Sequence, residues 1–200
     1  MSKFIESIIG QVLPSIPMHK ANEKLREKID CEGIQSNRAH MDNFDEIPIE
    51  VFRQKYDEAF EVKNKFEDKA KTNVIGITIA ITVIMGASDL TNSIISRYSC
   101  VALHWVSFII LLFAIIYLLF SGIGAIKVLF DENIMSTVSL PDLVAGDADT
   151  KEKYYDCTNR NTNRNIIRNN IVHTSYICVR NALICMTMVF VLASIPLIPG

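Results

Sequence analysis

Three arginines at intervals of four residues are the first feature of this sequence that could do chemistry. On a helix, Arg160, Arg164 and Arg168 would form one basic stripe about 12 Å long, from a rise of about 1.5 Å per residue. Such a stripe suits phosphates, acidic lipid headgroups or an acidic helix of a neighbouring chain. The alternative is pairing with the acids of the same chain's helix over residues 49–71. We expect the stripe to contact those acids on an adjacent copy.

The last of these arginines also opens a short motif, Arg168-Asn169-Asn170-Ile171-Val172-His173. The motif resembles the R-N-x-x-x-H signature of HEPN ribonucleases, and its candidate catalytic residues are Arg168, Asn169 and His173. The resemblance implies that His173 transfers a proton while RNA is cut through its own 2′-hydroxyl, and that Arg168 holds the phosphate without a metal. HEPN enzymes need two facing motifs, so this chain would have to dimerise. The alternative is that Arg168 and His173 are interfacial anchors or an inter-subunit polar contact.

Other sequence signatures of catalysis and cofactor binding are absent. The chain has no phosphate-binding loop, no dinucleotide fingerprint after a strand and no zinc-protease or serine-hydrolase motif. Its five cysteines are scattered, without a C-x-x-C pair or a paired Cys/His ligand set. A net charge of −2 gives no reason to expect bulk binding to nucleic acid. We therefore expect reduced thiols, no metal, no cofactor and no DNA partner.

The elements that must position these residues are set by three long runs without Asp, Glu, Lys or Arg. Of the 200 residues, 50% are hydrophobic and 21% are charged, which is ordinary, but the distribution is uneven. The uncharged runs cover 72–88, 98–126 and 181–200. Soluble globular proteins of this size rarely contain three such runs. The sequence predicts an all-α integral membrane protein with about three transmembrane helices and a cytosolic helical layer.

The first predicted span, 72–88, carries small and hydroxyl residues at helical spacing. Gly76 and Ala80 form a small-xxx-small pair, and Thr78 and Thr82 lie one turn apart on one face. Such residues let membrane helices approach and hydrogen-bond to each other. The same face could instead line a narrow polar path, so both packing and pore lining stay open, with packing favoured.

The remaining chain divides into predicted regions by the same patterns. The second span, within 99–126, is longer than a straight crossing needs, so we expect it to tilt or to break near Gly122 and Gly124. Helices are expected over 2–13, ended by Pro14 and Pro17, and over 18–31, 49–71 and from Thr150 onward into the third span. The expected regions are 1–71 cytosolic, 72–126 a transmembrane hairpin, 127–176 cytosolic, and 177–200 the third transmembrane helix.

Two further patterns concern contacts and orientation. Asparagine is a poor helix former, so its repetition in NRNTNRNIIRNN indicates polar contacts rather than free solvation, unless it only reflects an AT-rich genome. Between the first two predicted spans Arg97 is the one Lys or Arg, whereas Lys63, Lys65, Lys69 and Lys71 precede the first. By the positive-inside rule, the N-terminus is expected in the cytosol and the C-terminus outside, in a bacterial inner membrane.

As a whole, the chain resembles the small membrane accessory proteins of type VI-B CRISPR systems and, more loosely, SLATT-type antiphage membrane effectors. The residues that carry this resemblance are Phe66 to Gly76, at the entry to the first span, and Arg168 to His173. The family implies a homo-oligomeric ring that forms a pore and depolarises the inner membrane in antiviral defence. It implies membrane lipids, further copies of the chain, and an RNA-guided CRISPR effector or its RNA as partners. A membrane-tethered HEPN-like ribonuclease and a scaffold that recruits a cytosolic partner through residues 1–70 are the alternatives.

Overall fold

The computed structural model describes residues 10–31, 44–86, 101–130, 132, 134–144 and 146–194, and these are almost entirely helical. The helices are α1 (Ser15–Cys31), α2 (Ile49–Gly86), α3 (Val101–Phe130), α4 (Leu140–Val144) and α5 (Asp147–Ser194), with a 3₁₀ turn at Phe44–Glu46. Helices α2, α3 and α5 are each long and apolar enough to cross a membrane. The prediction of an all-α membrane protein with three spanning helices is confirmed.

Helices α2 and α5 are continuous through the regions where the sequence changes from charged to apolar. Helix α2 has 38 residues and α5 has 48. No glycine or proline interrupts the chain between Pro48 and Gly76, so nothing stops α2 before its apolar half. The predicted continuity of the helix from Thr150 into the third span is therefore correct. Both α2 and α5 contribute to two compact units of the chain.

The first unit, here called the apolar unit, combines the described residues of Met1–Ser15, Lys71–Ile126 and His173–Gly200. Its three helices pack around a core in which half of the buried side chains are alanine. That core consists of Ile77, Ala80, Ala114, Leu118, Ala182 and Met186. Small residues let helix backbones approach closely, which is how spanning helices gain packing energy in lipid. Large aliphatic and aromatic side chains cover the outer faces of these helices.

The second unit, here called the polar unit, combines the described residues of Ile16–Ala70 and Lys127–Val172. Its apolar core is a cluster of aromatic rings from the 3₁₀ turn, α2 and α5. Phe44 and Phe52 have ring centroids 5.0 Å apart, and Tyr155 meets Phe44 edge-on at 5.9 Å. Such tilted and edge-on pairs add to the energy of area burial.

Helix α4 is bounded by the signals that the sequence contains. Ser139 donates from its backbone N–H (3.0 Å) and its Oγ (2.6 Å) to the Asp142 carboxylate, as at a capped helix start. Gly146, at φ +116°, then adopts a left-handed conformation that a side chain would disfavour. Helix α4 thus begins after a capping serine and is followed by a glycine in a left-handed conformation.

Several expected boundaries differ from the structure. Pro17 does not end a helix but lies in the first turn of α1, where proline costs no intrahelical hydrogen bond. Helix α3 continues through Gly122 and Gly124 without a break, from Val101 to Phe130. Most of the helix expected over 2–13, and the ends of the expected spans at 87–88, 99–100 and 195–197, lie outside the described residues.

Candidate functional site

The asparagine run of α5 faces the interior of the polar unit. Asn161 accepts a hydrogen bond from the Ser136 backbone N–H through Oδ1 (2.7 Å) and donates through Nδ2 to the Ser136 carbonyl (3.0 Å). Asn165 donates through Nδ2 to the Ala59 carbonyl of α2 at 2.8 Å. Asn163 is also buried. Asn161 and Asn165 therefore make polar contacts rather than remain in free solvent, as predicted for the run, whereas Asn169 is exposed.

Arg168 is fully buried, with 0% of its surface exposed. Its Nε donates to the Glu132 carbonyl at 2.7 Å, and its Nη2 donates to the Glu132 and Ile134 carbonyls, the latter at 3.0 Å. Nη1 donates to Asn165 Oδ1 at 2.6 Å. Burial lowers the pKa of this guanidinium, while the nearby Glu132 and Glu67 carboxylates oppose that shift.

Together these side chains hold an irregular segment, residues 134–139, which we call the connector. The connector has no ladder partner among the described residues, and its partly buried backbone groups are bonded by side chains instead. Arg168, Asn161 and Tyr56 supply them, since the Tyr56 hydroxyl also accepts a bond from the Val138 N–H at 3.4 Å. Tyr56 is itself partly desolvated, and burial raises its pKa. We call this set of three side chains the connector clamp.

The clamp uses the arginine of the HEPN-like motif. The Arg168 guanidinium is occupied by backbone carbonyls and is not presented to a phosphate. His173 is exposed and lies five residues further on, about 140° around the helix axis from Arg168 at about 100° per residue. Asn169 is exposed as well. The structure therefore does not bring the three candidate catalytic residues together in one chain.

Arg168 does not lie at the surface with the other two arginines of the predicted interface stripe. A spacing of four residues rotates a side chain by about 40° each time, so Arg168 lies about 80° around the helix from Arg160 and turns into the core. Arg160 stays half-buried near Cys157; burial raises the pKa of that thiol, and Arg160 opposes the shift. Of the three arginines at this four-residue spacing, Arg168 is thus buried, and Arg160 and Arg164 are half-buried.

The remaining arginine of the predicted stripe is Arg164. It is half-buried, and its Nη1 has no hydrogen-bond partner among the described residues. It borders a pocket of about 200 Å³ beside Arg26 and Glu132, which form an ion pair with each other. Contact of Arg160 and Arg164 with the acids of a neighbouring copy stays a prediction.

The apolar unit contains a buried polar node that the sequence patterns did not predict. Asn73 of α2 donates through Nδ2 to Ser121 Oγ of α3 at 3.0 Å, and that hydroxyl donates to the Ser175 carbonyl of α5 at 2.9 Å. Ser175 Oγ in turn donates to the Ser121 carbonyl at 3.2 Å. Each spanning helix thus contributes one polar residue. The available signal was Asn73 itself, an amide at the start of an otherwise apolar run.

The small and hydroxyl residues of the first span divide between two roles. Ala80 is buried in the three-helix core, whereas a Cβ placed on Gly76 would meet no described atom within 4 Å. Thr78 and Thr82 are exposed, and each Oγ1 donates to the backbone carbonyl four residues earlier at 3.0 Å. Ala80 therefore packs inside the chain, while Gly76, Thr78 and Thr82 are left for lipid or another molecule.

The donor groups of a metal centre do not come together in the described part of the chain. Among those residues, no group of three or more His, Cys, Asp or Glu side chains could hold a metal ion. A scan against protein-family models and searches of curated proteins and of solved structures found no match to the chain.

Proposed function

We propose that this chain is a membrane effector that assembles with copies of itself and permeabilises the membrane in which it lies. The observation that carries the proposal is the exposed hydroxyl face formed by Thr78 and Thr82 on an otherwise apolar spanning helix. Exposed side chains around it, such as Ile75 and Ile79, are aliphatic. A pair of hydroxyls one turn apart can hydrogen-bond water in a polar path, whereas lipid chains offer no hydrogen bonds.

Assembly is required because one chain offers no such path in its described part. The interior between α2, α3 and α5 is filled by side chains, and Ala114 and Ala182 at its centre have 0% exposure. Any aqueous passage would therefore lie between copies, with α2 of each copy contributing its hydroxyl face. Closed rings of identical chains produce such passages around their symmetry axis.

The hydroxyl groups suit this role even though they donate to their own helix. A threonine hydroxyl that donates to a backbone carbonyl keeps its lone pairs, so it still accepts hydrogen bonds from water. Thr78 and Thr82 would then ease the passage of hydrated ions through a narrow apolar constriction.

The cellular setting follows from the resemblance stated for the sequence. We propose that the membrane is a bacterial inner membrane, with the N-terminus and the polar unit in the cytosol, and that permeabilisation serves CRISPR-linked antiviral defence. An RNA-guided effector or its RNA would act as the trigger, and membrane lipids and other copies of the chain are the direct partners. RNA cleavage is not favoured, since the Arg168 guanidinium is bound to backbone carbonyls.

Vesicles that contain the purified full chain provide the test. Thr78→Val and Thr82→Val remove the hydroxyls while keeping the side-chain shape, and together they should abolish most of the potassium efflux without changing the mass of the assembly. Thr187→Val is the matched control, because Thr187 is also exposed and donates to a carbonyl four residues earlier, on α5. Strictly monomeric protein, or equal efflux from all three proteins, would refute the proposal.

A further inference from the structure

An open apolar groove of about 480 Å³ follows one face of α5 in the apolar unit. Its lining residues recur at spacings of three and four, so they form a single stripe along the helix. They are Tyr176, Val179, Arg180, Leu183, Ile184, Thr187 and Met188. Between Arg180 and Met188, Thr187 is the one polar lining residue, and its hydroxyl donates to the Leu183 carbonyl at 2.9 Å. The other lining side chains there, Leu183, Ile184 and Met188, are apolar.

Arg180, near the N-terminal end of this groove, is held in place by neutral groups. Arg180 donates through Nη2 to Gln11 Oε1 at 2.7 Å and to Asn181 Oδ1 at 3.1 Å. Asn181 Nδ2 also donates to the backbone carbonyl of Gln11 at 2.8 Å, so the Asn181 side chain is fixed to the Gln11 backbone. In the part of the chain that the structure describes, Arg180 forms no ion pair with a carboxylate. Its side chain is exposed, so a full positive charge is presented where α5 becomes apolar.

The length of the groove along α5 fits a lipid. The eight residues from Arg180 to Met188 rise about 12 Å along the helix, which is within one leaflet of a hydrocarbon core about 30 Å thick. Tyr176 lies one turn before Arg180, at the level where tyrosine is enriched in membrane proteins. A phosphate beside Arg180 would form charge-assisted hydrogen bonds with the guanidinium.

We propose that this groove is a binding site for an anionic phospholipid. The headgroup phosphate binds Arg180, the amides of Gln11 and Asn181 orient the guanidinium, and one acyl chain lies along Leu183, Ile184 and Met188. The proposal is independent of membrane permeabilisation, since it requires only that α5 lies in a bilayer.

Native mass spectrometry of the full chain in a mild detergent tests this site, with phosphatidylglycerol and phosphatidylcholine added in equal amounts. The wild-type chain should retain phosphatidylglycerol in preference. Arg180→Gln should reduce that preference about fivefold, which is the size expected for one cation at a membrane surface. Arg180→Lys should keep most of the preference. Arg53→Gln is the matched control, since it removes an exposed arginine from the polar half of α2 and should change nothing.

Further arms separate the lipid from other occupants. Ile184→Asn should weaken binding of both lipids because it places an amide in the acyl groove, and glycerol phosphate should not displace bound phosphatidylglycerol. If Arg180→Gln does not fold, Arg180→Lys and Ile184→Asn decide the matter alone. An unchanged lipid preference in Arg180→Gln, or displacement by glycerol phosphate, would overturn the proposal. So would a smaller assembly with unchanged lipid binding, since a second copy would then occupy the groove.

Discussion

The polar unit and the apolar unit are built from the same two long helices, but different side chains hold each unit together. In the polar unit, α5 is fixed by buried amides and a buried guanidinium that bind backbone groups of the connector and of α2. In the apolar unit, the same helix packs through Ala182 and Met186 against other small and aliphatic side chains. Its described hydrogen bonds to α3 there involve two serines, Ser121 and Ser175.

The difference reflects which interactions stabilise helix packing in water and which stabilise it in lipid. In water, burial of apolar area drives association, and buried amides add specificity because a wrong register leaves them unsatisfied. In lipid, the surroundings are as apolar as the helices, so close approach of backbones and a few hydrogen bonds must provide the attraction. Removal of a buried polar side chain should therefore lower the free energy of unfolding much more in the polar unit than in the apolar unit.

Removal of the buried guanidinium should have the largest effect. Arg168→Met keeps much of the side-chain volume but leaves the Glu132 and Ile134 carbonyls without a donor, so we expect a loss of about 3 kcal/mol or more in the free energy of unfolding. Arg53→Met, at an exposed position of α2, should change it by less than about 0.5 kcal/mol. Thermal unfolding in a mild detergent, followed by circular dichroism, measures both. Equal shifts in the two variants would show that the clamp does not stabilise the polar unit.

The amide pair between Asn161 and Ser136 should rank second. Asn161→Ala removes both hydrogen bonds to the connector backbone and should cost about 1–3 kcal/mol, since the Ser136 N–H and carbonyl lose their partner. Asn159→Ala, two residues away on a half-buried position, serves as the control and should be nearly neutral. If Asn161→Ala is as nearly neutral as Asn159→Ala, the two hydrogen bonds to Ser136 do not stabilise the polar unit.

Disruption of the polar node of the apolar unit, formed by Asn73, Ser121 and Ser175, should lower the free energy of unfolding less. Ser121→Ala should cost about 1 kcal/mol, because interhelical hydrogen bonds in membranes average below that and seldom exceed about 2 kcal/mol. Asn73→Ala alone and the double variant complete a mutant cycle, and the two losses should not add, because the side chains share one hydrogen bond. Unfolding by denaturing detergent measures the cycle. Additive losses, or a loss larger than that of Arg168→Met, would reverse the comparison between the units.

The smallest effect concerns the start of α4. Hydrogen bonds from Ser139 lower the pKa of the Asp142 carboxyl. A carboxyl with a lowered folded-state pKa stabilises the fold above its unfolded pKa of about 4, and this contribution disappears as the pH falls through the folded pKa. Asp142→Asn should therefore lower stability slightly at pH 7 and leave it unchanged near pH 2. A melting-temperature series from pH 7 to pH 2 would detect the difference, and identical curves for both proteins would contradict the assigned cap.

The spanning helices could be predicted from the sequence because an uncharged, apolar run of about 20 residues has the length and composition that a bilayer crossing requires. The asparagine run also indicated its role, since poor helix formers must be retained in α5 by contacts. What the sequence could not reveal was which groups those contacts would reach. Burial of Arg168 depends on where the connector lies. Residues 134–139 form neither helix nor strand, and their sequence has neither a helical nor an alternating pattern to place them. The partner of Asn73 was hidden for the same reason, since no local rule links it to Ser121.

The most direct test of membrane permeabilisation, as opposed to RNA cleavage, is the membrane potential of bacterial cells that produce His173→Ala at the level of the wild-type chain. A potential-sensitive dye reports the result in living cells. We predict that the variant depolarises the membrane as fully as the wild type, because exposed His173 takes no part in a shared site with Arg168. Cells that keep their potential with the variant and lose it with the wild type, at equal levels of assembled protein, would contradict this.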